Sequence, residues 1–183
     1  MKKIGIFMAE GCEEIEGLAV VDIVRRAKFE IVMISITEKK EVTGSHGITF
    51  CADALSTEVN YDDLDGIILP GGMPGTLNLK ADDIVKMIIE KYAAEGKLVA
   101  AICAAPEVLG EAGILNGKRA TCHPGHEDKL IGAMLSTDSV VVDGNIITSR
   151  GMGTAIDFGL AITRYFTDEA TVEHVKTGLV YHS

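Results

Sequence analysis

The sequence predicts an α/β fold in which a mostly parallel central sheet is flanked by helices. Two observations carry this. Short apolar runs of strand length alternate with amphipathic stretches of helix length along the whole chain. Several of those runs, Ile67-Ile68-Leu69 and Leu98 to Ile102 among them, are apolar at every position, as in strands buried on both faces. With 183 residues and 47% hydrophobic content the chain is long enough to bury one core without staples, so residues 1–183 read as one domain.

Each element has a local reason. Lys3 to Met8 is a strand. Glu13 to Ala27 follows as a helix, with acids in its first turn and Arg25-Arg26 in its last, complementing the macrodipole. Its apolar set includes Ile15, Leu18 and Ala19. Phe29 to Ile36 is the next strand, and Gly44 and Gly47 break Glu41 to Ala52 into a short edge hairpin. Gly66 to Leu69 is a buried strand ending in Pro70-Gly71-Gly72. Asp82 to Glu95 is an amphipathic helix with Ile84, Val85, Ile88 and Ile89 on one face. A strand then runs to Cys103, followed by a helix from Ala105 to Ala112 that Gly113 stops. Arg119 to Cys122 is a short strand and Glu127 to Ala133 a short helix. Val140 to Thr148 is a hairpin around Asp143-Gly144, and helices over Thr154–Tyr165 and Glu169–Val180 close the chain.

Composition excludes several functions. A formal net charge of −10 disfavours a nucleic-acid or anionic-membrane surface as partner. The apolar stretch Ile4 to Ala9 is too short for a signal segment or a membrane span, so a cytoplasmic protein is expected. Cys12, Cys51, Cys103 and Cys122 are far apart, with no C-x-x-C, and read as free thiols. The adjacent pair Cys122-His123 points to opposite faces of a strand, so no metal site is expected.

The segment from Lys97 to Pro106 carries most of the functional signal. A buried strand stops at Cys103, and small residues and Pro106 turn the chain at once into a helix. Such a bend lifts one side chain out of the sheet among free backbone N–H groups, the logic of a nucleophile elbow, although G-x-S-x-G is absent. A thiol at a helix N-terminus is expected to have a lowered pKa. A cysteine ending an apolar run also fits a small core residue. What favours a site is convergence: the loop from Ala9 to Glu16, the Pro70-Gly71-Gly72 turn and Cys103 all fall at strand carboxyl ends, where open α/β sheets bind ligands.

Around Cys103, the backbone N–H groups of Gly71, Gly72 and Ala104 form a candidate oxyanion hole. Glu16 shares its turn with Glu13 and Glu14, where acids commonly just meet the dipole. Facing the thiol, it would repel a thiolate unless it held its own proton and donated it to sulfur. His123, before Pro124, is placed to orient the thiol or to be structural. His126, His174 and His182 read as surface residues.

Ala100-Ala101-Ile102-Cys103-Ala104-Ala105-Pro106 resembles the cysteine turn of the ThiJ/PfpI superfamily, in its DJ-one/YajL branch. Glu13-Glu14-Ile15-Glu16, Leu69-Pro70-Gly71-Gly72, His123-Pro124 and Thr148-Ser149-Arg150-Gly151 match in the same order, across nearly the whole domain. The resemblance implies a flavodoxin-like three-layer sandwich and a homodimer with His46 and Cys51 near its interface. It implies Cys103 as nucleophile and oxidation-sensitive thiol, Glu16 as a protonated partner, His123 nearby, and Gly71, Gly72 and Ala104 as backbone donors. The branch carries arginine at the position of His46, so an anion contact made by that arginine across subunits does not carry over. Ala104 stands where PfpI-type proteases have histidine, and no late His-x-Glu pair of a glutamine amidotransferase follows Cys103, so both readings drop. A thiamine-biosynthesis role lacks any phosphate loop.

The expected activity is therefore a metal-free, cofactor-free glyoxalase or deglycase acting on methylglyoxal, glyoxal or their early adducts with protein or nucleotide groups. The alternatives are a redox-sensing stress chaperone whose Cys103 oxidises to sulfinate, and a plain binding domain with an incidental thiol.

Overall fold

The computed structural model describes residues 1–181, so His182 lies outside the described residues. In chain order the elements are β1 (Lys3–Met8), α1 (Glu14–Arg26), β2 (Glu30–Ser35), β3 (Glu41–Thr43), β4 (Thr49–Cys51), β5 (Ala54–Leu55) and β6 (Gly66–Leu69). Then come α2 (Gly75–Ala81), α3 (Asp83–Glu95), β7 (Leu98–Ile102), α4 (Pro106–Glu111), β8 (Arg119–Ala120) and β9 (Met134–Leu135). The chain closes with β10 (Val140–Asp143), β11 (Ile146–Ser149), α5 (Ala155–Phe166) and α6 (Glu169–Leu179).

Seven strands form one sheet in the order β10-β11-β7-β6-β1-β2-β5, parallel throughout except for the β10–β11 hairpin. Alternation along each strand divides the core. Ile4, Ile6 and Met8 of β1 face α1 and α5, meeting Val20, Val24, Phe158 and Ile162. Phe7 and Ala9 face the opposite layer, with Val85, Ile88, Ile89 and Tyr92 of α3 and Val108 and Leu109 of α4. Close packing demands glycine at two strand positions: a Cβ on Gly5 or Gly66 would lie 2.7 Å from a core side chain. The strand order turns back at β1, whose neighbours are β2 on one side and β6 on the other, so the switch point lies between β1 and β6. The loop after β1, the Pro70-Gly71-Gly72 turn after β6 and Cys103 after β7 sit side by side at that end.

The expected three-layer α/β sandwich with a mostly parallel sheet is what forms, and five local expectations need correction. Glu127 to Ala133 is no helix but a three-residue 3₁₀ turn (Glu127–Lys129), because Gly132 adopts φ 77° and the chain then enters β9, parallel to β8. The strand from Arg119 stops at Ala120, not Cys122. Residues Gly75–Ala81 form the additional helix α2, separated from α3 only by Asp82, whose carboxylate caps Val85 N–H at 2.9 Å. The hairpin β3–β4 forms as expected but is its own two-stranded sheet, and the two-residue strand β5 takes the sheet edge beside β2. On α1 the inward face carries Glu14, Glu16 and Gly17, whereas Ile15 is exposed. The first turn of α1 points at the loops of the switch point rather than at the apolar core.

Candidate active site

Cys103 lies on the turn from β7 into α4 with φ 66°, a left-handed conformation that costs a side-chain-bearing residue about 1–2 kcal/mol. Two neighbours hold it there. Cys103 N–H donates to Ser149 O of β11 at 3.0 Å, and Cys103 O accepts His123 N–H at 2.7 Å. Such a strained backbone persists only because its neighbours hold it from both sides.

Glu16 enters from α1, 1% exposed. Its Oε2 accepts the N–H of Gly71 at 2.9 Å, while Oε1 is buried without a hydrogen-bond partner. The contact requires glycine at the turn. A Cβ on Gly71 would stand 2.6 Å from Cys103 Cβ and 2.9 Å from Glu16 Oε2, so turn, thiol and carboxyl meet at one point. Gly72 has φ 90°, and a Cβ there would stand 2.3 Å from Glu13 N.

The electrostatics follow from burial. Removal from water pushes the Glu16 carboxyl up to about 7, against the opposing hydrogen bonds from Cys103 and Gly71. The Cys103 thiol is pushed up to about 12, first by burial and then by the ionised Glu16 beside it, with the N–H groups of Ala104 and Gly72 pulling the other way. The expectation of a lowered thiol pKa is therefore corrected: the dipole of the six-residue α4 is outweighed by desolvation and a neighbouring anion. The two groups titrate as a pair, which holds two protons below about 7 and one above it.

Of the expected backbone donors, Gly72 and Ala104 face the sulfur, whereas the N–H of Gly71 is engaged by Glu16. His123 comes next to Cys103 through its backbone. Its ring is exposed, and Nδ1 lies 3.0 Å from Pro124 O, which can only accept, so Nδ1 carries the hydrogen and Nε2 is left for other partners.

His46 and Cys51 sit apart from the thiol, on and beside the β3–β4 hairpin, with Cys51 exposed. A residue the sequence gave no reason to single out, Glu14, ties that hairpin to α1. Its buried carboxylate accepts His46 N–H at 2.9 Å and Ile48 N–H at 3.2 Å. Gly44 is needed there, since a Cβ would stand 2.2 Å from the Glu14 carboxyl carbon. Glu13, Glu14 and His46 bring potential ligand atoms within 4.8 Å of one another, the cluster among the described residues that could hold a metal ion. Here His46 Nδ1 serves instead as a partner for Glu13 Oε2 at 3.2 Å and Glu14 Oε2 at 3.3 Å.

A model of the DJ-1/PfpI family matches residues 2–165. Protein DJ-1 homolog A of Arabidopsis thaliana is 42% identical over 175 residues, covering 94% of this chain and 45% of that protein. The chain thus spans less than half of that relative, and 41% of the Arabidopsis thaliana homolog B. Deglycase PfpI of Pyrococcus furiosus is 40% identical over 127 residues, 67% of this chain and 74% of its own. Among solved structures, oxidized Toxoplasma gondii DJ-1 superposes with a TM-score of 0.96 at 32% identity, covering 100% of both chains.

Proposed function

Since this chain belongs to the DJ-1/PfpI family, we propose that it is a cysteine-dependent glyoxalase or deglycase, acting on small dicarbonyls or their early adducts without metal or glutathione. The observation that carries the reading is the buried Glu16 carboxyl, raised to about 7 beside the Cys103 thiol, at a turn where Gly72 and Ala104 present N–H groups. The deglycase name of the Pyrococcus furiosus relative supports the same chemistry.

In this reading the proton of the pair moves to Glu16 and the Cys103 thiolate attacks the aldehyde carbon of methylglyoxal. The carbonyl oxygen gains the negative charge and is met by the N–H groups of Gly72 and Ala104. Glu16 gives its proton to that oxygen, and the carboxylate so formed carries the hydrogen of the former aldehyde carbon to the ketone carbon while the hydroxyl proton passes to the ketone oxygen, so that the second carbon becomes the alcohol and the first a thioester. Water cleaves the thioester, lactate leaves and the thiol is regenerated. One carbon is oxidised and its neighbour reduced, so no external oxidant or reductant enters. His123, fixed beside the turn, orients the incoming carbonyl or water through Nε2.

We place the chain in the cytoplasm as a homodimer, with His46 and Cys51 near the interface. Ile15 and Ile48 beside them are 51% and 55% exposed, apolar surface of the kind a partner covers. No helix among the described residues is long and apolar enough to cross a membrane. A second reading draws on the same N–H groups. The N–H groups aimed at the half-buried sulfur would equally hold the oxygens of a sulfinate, as an oxidation-sensing thiol requires.

Methylglyoxal consumption without glutathione, with lactate quantified, separates the two. Many turnovers in the wild type, lost in Cys103→Ser and Glu16→Gln, support the enzyme. No lactate, with about one aldehyde bound per thiol, leaves the sensor.

A further inference from the structure

Behind the Cys103 turn lies another buried carboxylate that this chemistry does not use. Glu107, in the first turn of α4, is fully buried. Its Oε2 accepts the Nδ1–H of His126 at 2.7 Å and the Nζ–H of Lys129 at 3.3 Å. Lys80 of α2 stands 3.9 Å from Oε1, which has no hydrogen-bond partner, and also pairs with Glu111. Stability alone is a poor reason for such a group, because a buried ion pair is commonly replaced by apolar residues without loss.

The contacts of His126 lead to the thiol. Its N–H donates to His123 O at 3.2 Å, and the two imidazoles meet edge to face, with centroids 6.1 Å apart and planes at 83°. His123 in turn donates its N–H to Cys103 O. The other hold on the His123 ring is its Nδ1–H, which donates to Pro124 O at 3.0 Å. The ring is exposed, Gly125 in its loop has φ 94° with open space around it, and Gly151 lies nearby, where an added Cβ would come 3.5 Å from Cδ2.

We propose that Glu107 is a positioning residue which, acting through His126, holds the His123 imidazole in place at the Cys103 turn. The inference rests on the reading above only in giving His123 work to do. The anchoring itself is a matter of geometry: a fully buried carboxylate fixes one imidazole, and the edge of that ring fixes the next. Because Glu107 sits one residue beyond Pro106 at the start of α4, the helix that begins just after the thiol also carries the anchor for the loop on its other side.

The test reads His123 directly. In the ¹⁵N spectrum of the imidazoles, wild type is expected to show His123 in a single Nδ1–H form. Glu107→Ala leaves the Pro124 bond and so the tautomer in place, but is expected to sharpen the His123 signals as the ring loses the fixed edge of His126 and gains motion. Glu107→Gln, whose amide oxygen still accepts from His126, restores most of the wild-type spectrum, and His126→Ala reproduces the alanine result should Glu107→Ala fail to fold. In turnover of methylglyoxal, Glu107→Ala lowers kcat about tenfold at unchanged KM, and it has no further effect in a His123→Ala background. Unchanged His123 signals in both alanine variants overturn the proposal. So does an equal kcat loss with and without His123. Should the wild type turn over no dicarbonyl, the reading of the function fails while the spectrum still decides this one.

Discussion

Replacing Glu16 by glutamine keeps the size of the side chain and its capacity to donate a hydrogen bond to sulfur, but removes its ability to ionise. In the wild type the Glu16 carboxyl, raised to about 7, competes with the thiol to lose the pair's first proton. At pH 8 it stands one pH unit above that value, so states with Glu16 ionised and Cys103 protonated outweigh the fully protonated pair about tenfold. Glutamine removes those states. The thiolate population at pH 8 therefore rises about tenfold, while at pH 6, where Glu16 is already protonated, it is almost unchanged. The microscopic affinity of sulfur for its proton is the same in both proteins, so nucleophilicity is unaltered and the rate follows the population. The assay is pseudo-first-order alkylation of Cys103 by iodoacetamide from pH 5.5 to 9, in a Cys51→Ser background that removes the other exposed thiol. The expected ratio of variant to wild-type rates is near one at pH 6 and about tenfold at pH 8. A ratio flat with pH would refute the shared-proton argument. A variant slower than wild type at every pH would mean that the protonated carboxyl stabilises the thiolate far beyond what an amide can.

The same shift predicts a pH dependence of stability. Because the folded Glu16 pKa lies above its ordinary value of 4.5, its stabilising contribution is full below about 4.5 and is lost as pH rises through about 7, amounting to about 3 kcal/mol. Urea titrations should therefore show wild type falling behind Glu16→Gln between pH 5 and pH 8, and parallel curves would contradict the burial of an ionisable group there. Gly72→Ala places a Cβ against Glu13 N and forces φ 90° on alanine, so a loss of at least about 2 kcal/mol is expected in chemical denaturation. A neutral Gly72→Ala would mean that the turn relaxes freely.

Features that depend on neighbours along the chain were legible without the structure. Apolar runs of strand length, the bend between Ile102 and Pro106 and the first and last turns of α1 are local patterns present in the fold, and the expected hairpin forms too, with its turn one residue later, at Gly144-Asn145. So is the placing of three loops at one sheet end, because alternating strand and helix leave a parallel sheet little freedom of connection. Short elements escaped. The two-residue strands β5 and β9 hold no periodicity to read, and α2 is cut from α3 by a single residue.

How groups far apart in the chain change one another emerged only from the packing. Glu16 and Gly71 are separated by 55 positions, and their hydrogen bond both buries the carboxyl and takes a backbone donor expected to serve an oxyanion. Helical periodicity put Ile15 inward and left Glu16 unremarkable; the packing of α1 against the switch point reversed that. The sign of the Cys103 shift was reversed for the same reason. A helix dipole can be read from the residues around a thiol, but desolvation and a facing carboxylate exist only once the sheet has brought α1 and β7 together.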